Sequence, residues 1–274
     1  MIELGEARVI ANQLSKVLKE KTIKNIIYMK TPHKFCWVNH DEKTYSSLLK
    51  NKKIEDVIAS AHYIRIIIES DVELVIGEDV QISYNKAADI GDKHQLCLLL
   101  DDNNAITFKI KLYGFLLIGT KKELLETQKY YKIAYESIDP LSDAFTYECF
   151  VKQTGLDSNK GSVKSALATE QHIPGLGNGV LQDILFNANV SPRKKIVTLS
   201  YNEKIQLYNS IKNTIAKMIN LGGRDSMEDI YGNPGGYKTL MTTKKDKCPS
   251  CGSELKKEAY LGGKVIYCPK CQIE

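Results

Sequence analysis

Residues 168–192 read ATEQHIPGLGNGVLQDILFNANVSP. The glycines fall where one helix ends and the next begins. Gly175, Gly177 and Asn178 predict a tight turn whose backbone N–H groups, at the start of a helix over Asn178–Ala188, point outward and can bind a phosphate. Many interhelical glycine turns bind nothing, so the turn by itself is a hint and its surroundings decide what it means.

The chain around it reads as helical. Helices are expected over Leu141–Gln153 and Ser162–Ala168, and a long one opens at the Ser200 to Glu203 capping box and ends at Gly222-Gly223. Ile205, Tyr208, Ile211, Ile215 and Ile219 share one side of the long helix and read as core. Upstream, Ile10, Leu14, Val17 and Leu18 form one face of a helix over residues 5–20. Glu3 and Glu6 near its start suit the helix dipole. From Ile23 to about Ile118 the pattern changes to short β-rich runs such as HYIRIIIE, VELVIG, VQISY and HQLCLLL, which predict an antiparallel sandwich or barrel.

Downstream, Cys248-Pro-Ser-Cys251 and Cys268-Pro-Lys-Cys271 are two C-x-x-C knuckles separated by 16 residues. Four thiolates so spaced can surround one structural Zn²⁺, and the intervening segment, turning at Gly262-Gly263, reads as a β-hairpin carried on the metal. So short a segment does not fold without its ion. The remaining cysteines, Cys36, Cys97 and Cys149, read as small hydrophobes. The fold class that emerges is α+β and multidomain. An N-terminal helix plus antiparallel β-sandwich occupies residues 1–125, a linker 126–140, a helical domain 141–235 and a zinc-finger hairpin 236–274.

Charge and hydropathy narrow the function classes. After residue 177 there are 15 Lys and Arg against 9 Asp and Glu, a surplus of 6, which leaves the first 177 residues at −1 of the total +5. A basic C-terminal part suits phosphate binding, although a solvated lysine-rich surface reads the same way. No apolar run approaches the ~20 residues of a membrane span, and the start lacks the pattern of a signal peptide, so a cytoplasmic protein without a membrane partner is expected.

The stretch PGLGNGVLQDILFNANVSP (174–192) is similar to the helix-two-turn-helix signature of the formamidopyrimidine-DNA glycosylase and endonuclease VIII family. The hairpin ending YCPKCQ (267–272) resembles that family's zinc finger, and the opening MIELGE matches its Met-Pro-Glu-x-Pro-Glu in the two glutamates, Glu3 and Glu6. The likeness runs through the whole chain in order. It implies a two-domain clamp on double-stranded DNA that carries a damaged base or abasic site, acting as a monomer. The damaged nucleotide is flipped out and read in a pocket.

The resemblance implies roles for particular residues. Gly177 and Asn178 hold a phosphate beside the flipped nucleotide, with Arg193, Lys194 and Lys195 as neighbours. The family's nucleophilic proline falls on Ile2, the proton-handling glutamate on Glu3, and the assisting lysine on His62. The hairpin arginine falls on Gly263, with Lys264 next to it, while Lys111, Leu112 and Tyr113 resemble a wedge loop. A retained Met1 keeps an α-amine able to act as a nucleophile, though one residue further out than proline, and near-attack geometry tolerates little displacement. The expected activity is a DNA glycosylase and abasic-site lyase using Met1 or activated water. The alternatives are a catalytically silent damage- or structure-specific DNA binder and, more distantly, an RNA binder.

Overall fold

The computed structural model describes residues 1–273, and the chain divides into two units. The first comprises Met1–Glu136 with Gly222–Gly236, and the second Ser137–Leu221 with Tyr237 onward. The return of residues 222–236 to the first unit is not visible in a linear cut of the sequence. It places Arg224 in the same unit as the N-terminus.

The first unit opens with α1 (Leu4–Leu18), whose buried face includes Leu4, Ala7, Ile10, Ala11, Leu14 and Leu18. Leu14 and Leu18 are wholly buried, worth about 1.5–3 kcal/mol each relative to exposure. Then follow β1 (Thr22–Tyr28), β2 (Cys36–Val38), α2 (Glu42–Leu49), β3 (Lys52–Ser60), β4 (Tyr63–Ile68), β5 (Val72–Lys86), β6 (Leu96–Leu100), β7 (Asn104–Thr120), α3 (Lys121–Thr127) and α4 (Lys129–Glu136). The strands form one sheet in the order β2-β7-β5-β4-β3-β1-β6, and β6 pairs back onto β7 to close it. The closure is possible because β5 and β7 are 15 and 17 residues long and run through both layers. Ile66, Leu74, Ile76, Leu98, Ile106 and Phe108 fill the space between, against α1.

Three local expectations are corrected. VELVIG and VQISY are one strand, β5, interrupted by a bulge between Glu78 and Val80, which resets the alternation of side chains and makes one strand read as two. The sheet is not wholly antiparallel, since β2 runs parallel to β7 with Cys36 opposite Gly114. Most of the expected 126–140 linker is helix, α3 and α4, with Leu124, Tyr131 and Ala134 packed on Tyr63 and Val75.

The second unit contains α5 (Tyr147–Thr154), a π-type turn over Ser165–Thr169, α6 (Asn178–Asn187), α7 (Tyr201–Asn220) and the hairpin β8 (Lys256–Tyr260) and β9 (Gly263–Tyr267). The capping box of Ser200 and Glu203 opens α7. The helix expected from Leu141 starts only at Tyr147, because Thr146 caps it by accepting from the Cys149 N–H. No helix among the described residues is long and apolar enough to cross a membrane.

Candidate functional site

In the first unit the bulge in β5 organises the N-terminus. Glu78 takes the left-handed conformation, φ 74°, uncommon for a residue with a Cβ and often found where a strand re-aims side chains at a site. Opposite Asp79, β7 inserts three residues, Lys111, Leu112 and Tyr113, between the paired positions Ile110 and Gly114. The carbonyl of Glu78 accepts from the N–H of Ile2 at 2.9 Å, and the Ile2 side chain is buried in the sandwich core. Ile2 therefore offers no amine and no exposed group. Its burial instead fixes Met1, whose α-amine lies 2.8 Å from Asp79 Oδ1. The Tyr113 hydroxyl donates to Met1 Sδ at 3.5 Å. Burial and the charges of Glu78 and Asp79 hold its phenol above the ordinary tyrosine range.

Glu3 is the N-cap of α1, and the Glu6 side chain reaches back to the Glu3 N–H at 3.2 Å, so the helix-dipole role expected of this pair is present. A second role is not legible in the sequence. The guanidinium of Arg224 donates from Nε to Glu6 Oε1 at 2.6 Å, from one terminal nitrogen to Glu3 Oε1 at 3.1 Å, and from the other to Glu6 Oε2 at 3.1 Å and the Met1 carbonyl at 3.4 Å. All three side chains are buried. Burial pulls the Arg224 guanidinium down, but the charges of Glu3 and Glu6 outweigh it and hold the group above the ordinary arginine range. The two glutamates are thus a charged pair locked by one cation.

His62 is buried, at 8% exposure, and not the surface side chain that an isolated strand histidine suggests. Its ring lies 4.1 Å from that of Tyr63 and its Nε2 is 3.6 Å from Glu78 Oε1, while Nδ1 has no hydrogen-bond partner among the described residues. Met1 and His62 therefore flank the same bulge, with Glu78 engaging the N-terminal segment through its backbone and His62 through its side chain.

In the second unit α6 is the hub. Gly177 is its N-cap and Asn178 its first residue. A Cβ built on Gly263 would overlap the Asn178 side-chain nitrogen, so any larger residue there requires the Asn178 side chain to move aside. Gln182, one turn on, accepts from Ile266 N–H at 2.6 Å, and Asp183 accepts from the N–H groups of Leu240 and Met241 at 2.8 Å each. Burial raises the Asp183 carboxyl, against the pull of those two donors. Lys164, also buried, donates to the carbonyls of Tyr260 and Leu261 and pins the hairpin turn.

Arg193 pairs with Glu258 at 3.0 Å and lies over the Tyr260 ring, whereas Lys194 is engaged by Glu203. Lys264 is exposed, opposite Ala259. The close approach at Gly263 has a measurable consequence: Gly263→Ala should displace the Asn178 amide and, if that amide holds a phosphate, weaken duplex binding by about tenfold. Fluorescence anisotropy with a labelled duplex reads this directly, and unchanged affinity would remove Asn178 from the grip.

The sulfurs of Cys248, Cys251, Cys268 and Cys271 all lie within 4.8 Å of one another and can hold a metal ion. Met241, Leu255 and Ile266 pack around them. Four soft donors gathered in this way, with no disulfide among them, fit a tetrahedral cation.

Known proteins resemble this chain along its whole length. The formamidopyrimidine-DNA glycosylase H2TH domain matches residues 137–229. The formamidopyrimidine-DNA glycosylase of Lactobacillus helveticus is 26% identical over 100% of this chain and 99% of its own. That of Wolbachia pipientis is 27% identical over 99% of this chain and all of its own. The chain thus carries the H2TH domain of the formamidopyrimidine-DNA glycosylases and is similar to them along its whole length.

Solved structures share its fold. The Lactococcus lactis formamidopyrimidine-DNA glycosylase, bound to abasic-site DNA, superposes with a TM-score of 0.86 at 21% identity over 99% of this chain and 100% of that one. The Thermus thermophilus enzyme gives 0.81 at 21% over 98% of both. Within this fold, Met1, Ile2 and Tyr113 gather at one bulge, Glu3 and Glu6 join Met1 through Arg224, and His62 reaches the bulge through Glu78. Gly177, Asn178, Lys264 and the four cysteines gather on α6 and the hairpin.

Proposed function

We propose that this protein is a base-excision DNA-repair glycosylase that binds double-stranded DNA carrying a damaged base or abasic site, flips the nucleotide, and cleaves the N-glycosidic bond with abasic-site lyase activity. The observation that carries this reading is the α-amine of Met1, held 2.8 Å from Asp79 beside the Glu3–Arg224 pair. The family likeness supports it, and so does the phosphate-grip geometry around Asn178. We assign the metal site one structural Zn²⁺, and the protein to the cytoplasm, acting as a monomer.

In this scheme the amine nitrogen forms a bond to C1′ of the flipped sugar as the C1′–base bond breaks and the base leaves with the bonding pair, taking up a proton. Opening of the sugar ring gives an iminium at C1′. Asp79 orients the amine and is within reach of its proton. Glu3, fixed by Arg224, places negative charge beside the developing cation. Cys248, Cys251, Cys268 and Cys271 would hold a zinc ion that would brace the hairpin and take no part in the reaction.

The test is reductive trapping. Incubation with an abasic duplex and borohydride should give a covalent adduct that peptide mapping places on Met1, and Asp79→Asn should slow its formation by on the order of 10²-fold, as loss of an orienting group does. Acetylation of the α-amine should abolish it. A second reading, a silent damage-specific binder, is favoured by the burial of Ile2 at the family's nucleophile position. Tight, abasic-selective binding without any adduct would select it. Equal affinity for structured RNA would sink both.

A further inference from the structure

On β2, Cys36 and Val38 face the core, so Phe35 and Trp37 face out, and they are 47% and 51% exposed. The parallel pairing of β2 with β7 and the hydrogen bond from Gly114 N–H to the Phe35 carbonyl at 3.0 Å hold them in place beside the Lys111–Tyr113 bulge. The result is a continuous row of rings. His33 to Phe35 is 6.4 Å, Phe35 to Trp37 6.5 Å and Trp37 to Tyr113 6.2 Å, at interplanar angles between 49° and 65°. Rings tilted in this way do not cover one another's faces. The row ends at Met1, through Tyr113.

Three aromatic side chains left open to water side by side, Phe35 just before β2, Trp37 on it and Tyr113 in the neighbouring bulge of β7, are a costly arrangement unless something covers them. Cations border the row: Lys34 Nζ lies 5.3 Å from the Phe35 ring, and Lys111 is exposed in the bulge. Open ring faces flanked by cations are the chemistry that receives unpaired nucleobases, whose faces stack whatever their sequence while lysines follow the phosphates.

We propose that Phe35 and Trp37, continued by Tyr113, form a stacking platform for unpaired bases of a single-stranded DNA segment lying beside the N-terminal site. The proposal rests on the DNA-binding part of the reading above and not on its chemistry. It extends the protein's substrates to lesions in single-stranded, bulged or gapped DNA.

Trp37 is the sole tryptophan of the chain and reports on its own surroundings. Titration with a short oligothymidylate should quench its fluorescence saturably, and a base-free abasic oligomer of equal length and charge should not. Phe35→Leu, which keeps the reporter, should weaken oligothymidylate binding by roughly fivefold or more, and Phe35→Tyr should restore it. Absence of quenching by oligothymidylate, or equal quenching by the base-free oligomer, overturns the platform. Quenching without any borohydride adduct leaves the platform standing and removes the lyase. An adduct without quenching does the reverse.

Discussion

Replacement of Arg224 by methionine is expected to lower the thermal midpoint by on the order of 10 °C, and to reduce borohydride trapping in whatever protein remains folded. The guanidinium is the cation shared by the Glu3 and Glu6 carboxylates, and all three side chains are at most 7% exposed. Removing one partner of such a buried group leaves uncompensated charge, which costs about 3–5 kcal/mol. In a chain of this size each kcal/mol lowers the midpoint by roughly 2–4 °C.

Two further variants separate charge from shape. Arg224→Lys keeps the charge but loses the fork that reaches both carboxylates and the Met1 carbonyl, so it should recover only part of the loss. Arg224→Met with Glu6→Gln removes one of the stranded charges and should be more stable than Arg224→Met alone. Calorimetry checks all three, and an unchanged midpoint in Arg224→Met would show that the carboxylates need no counter-charge.

Stripping the metal should have the second large effect. Chelation, or Cys268→Ser, is expected to unfold the segment from Cys248 to Cys271, because structural zinc in comparable short segments contributes about 10–16 kcal/mol of apparent binding energy and the hairpin's own strands are only five residues long. Hydrogen exchange should report it at Ile266, whose N–H is held by Gln182. Duplex affinity should fall with it, and the slope of log affinity against log salt should lessen by about one for each phosphate that is no longer neutralised. Retention of Ile266 protection after the metal is gone would show that packing on Met241 and Leu255 suffices.

The parts of the molecule legible in the sequence are those whose physics is local. Two C-x-x-C knuckles specify a thiolate cluster by spacing alone, the Ser200–Glu203 capping box marks the start of α7, and a glycine turn before Asn178 marks the start of α6. The antiparallel runs of the sandwich alternate plainly enough to be seen. β2, three residues long, carries too little pattern, and the bulge at Glu78 breaks one strand's rhythm into two. His62 reads as a surface histidine because nothing in the local sequence says that the turn between β3 and β4 carries it in beside Tyr63 and Glu78. Arg224 is the largest feature hidden from the sequence. It stands 221 residues from Glu3, in a segment whose sequence says only that a helix has ended, and long-range charge pairing leaves no trace in periodicity.

The close approach of Asn178 and Gly263 also constrains how this chain can vary. A side chain entering at 263 meets the Asn178 amide, so a residue larger than glycine there is admitted only as the Asn178 side chain swings aside, and if that amide grips a phosphate, a change at 178 made first weakens the grip. The two positions form an epistatic pair whose single-step intermediates are both handicapped. A library that randomises either one alone should return mostly the starting residue, while a library that randomises both together opens combinations that stepwise mutation does not reach.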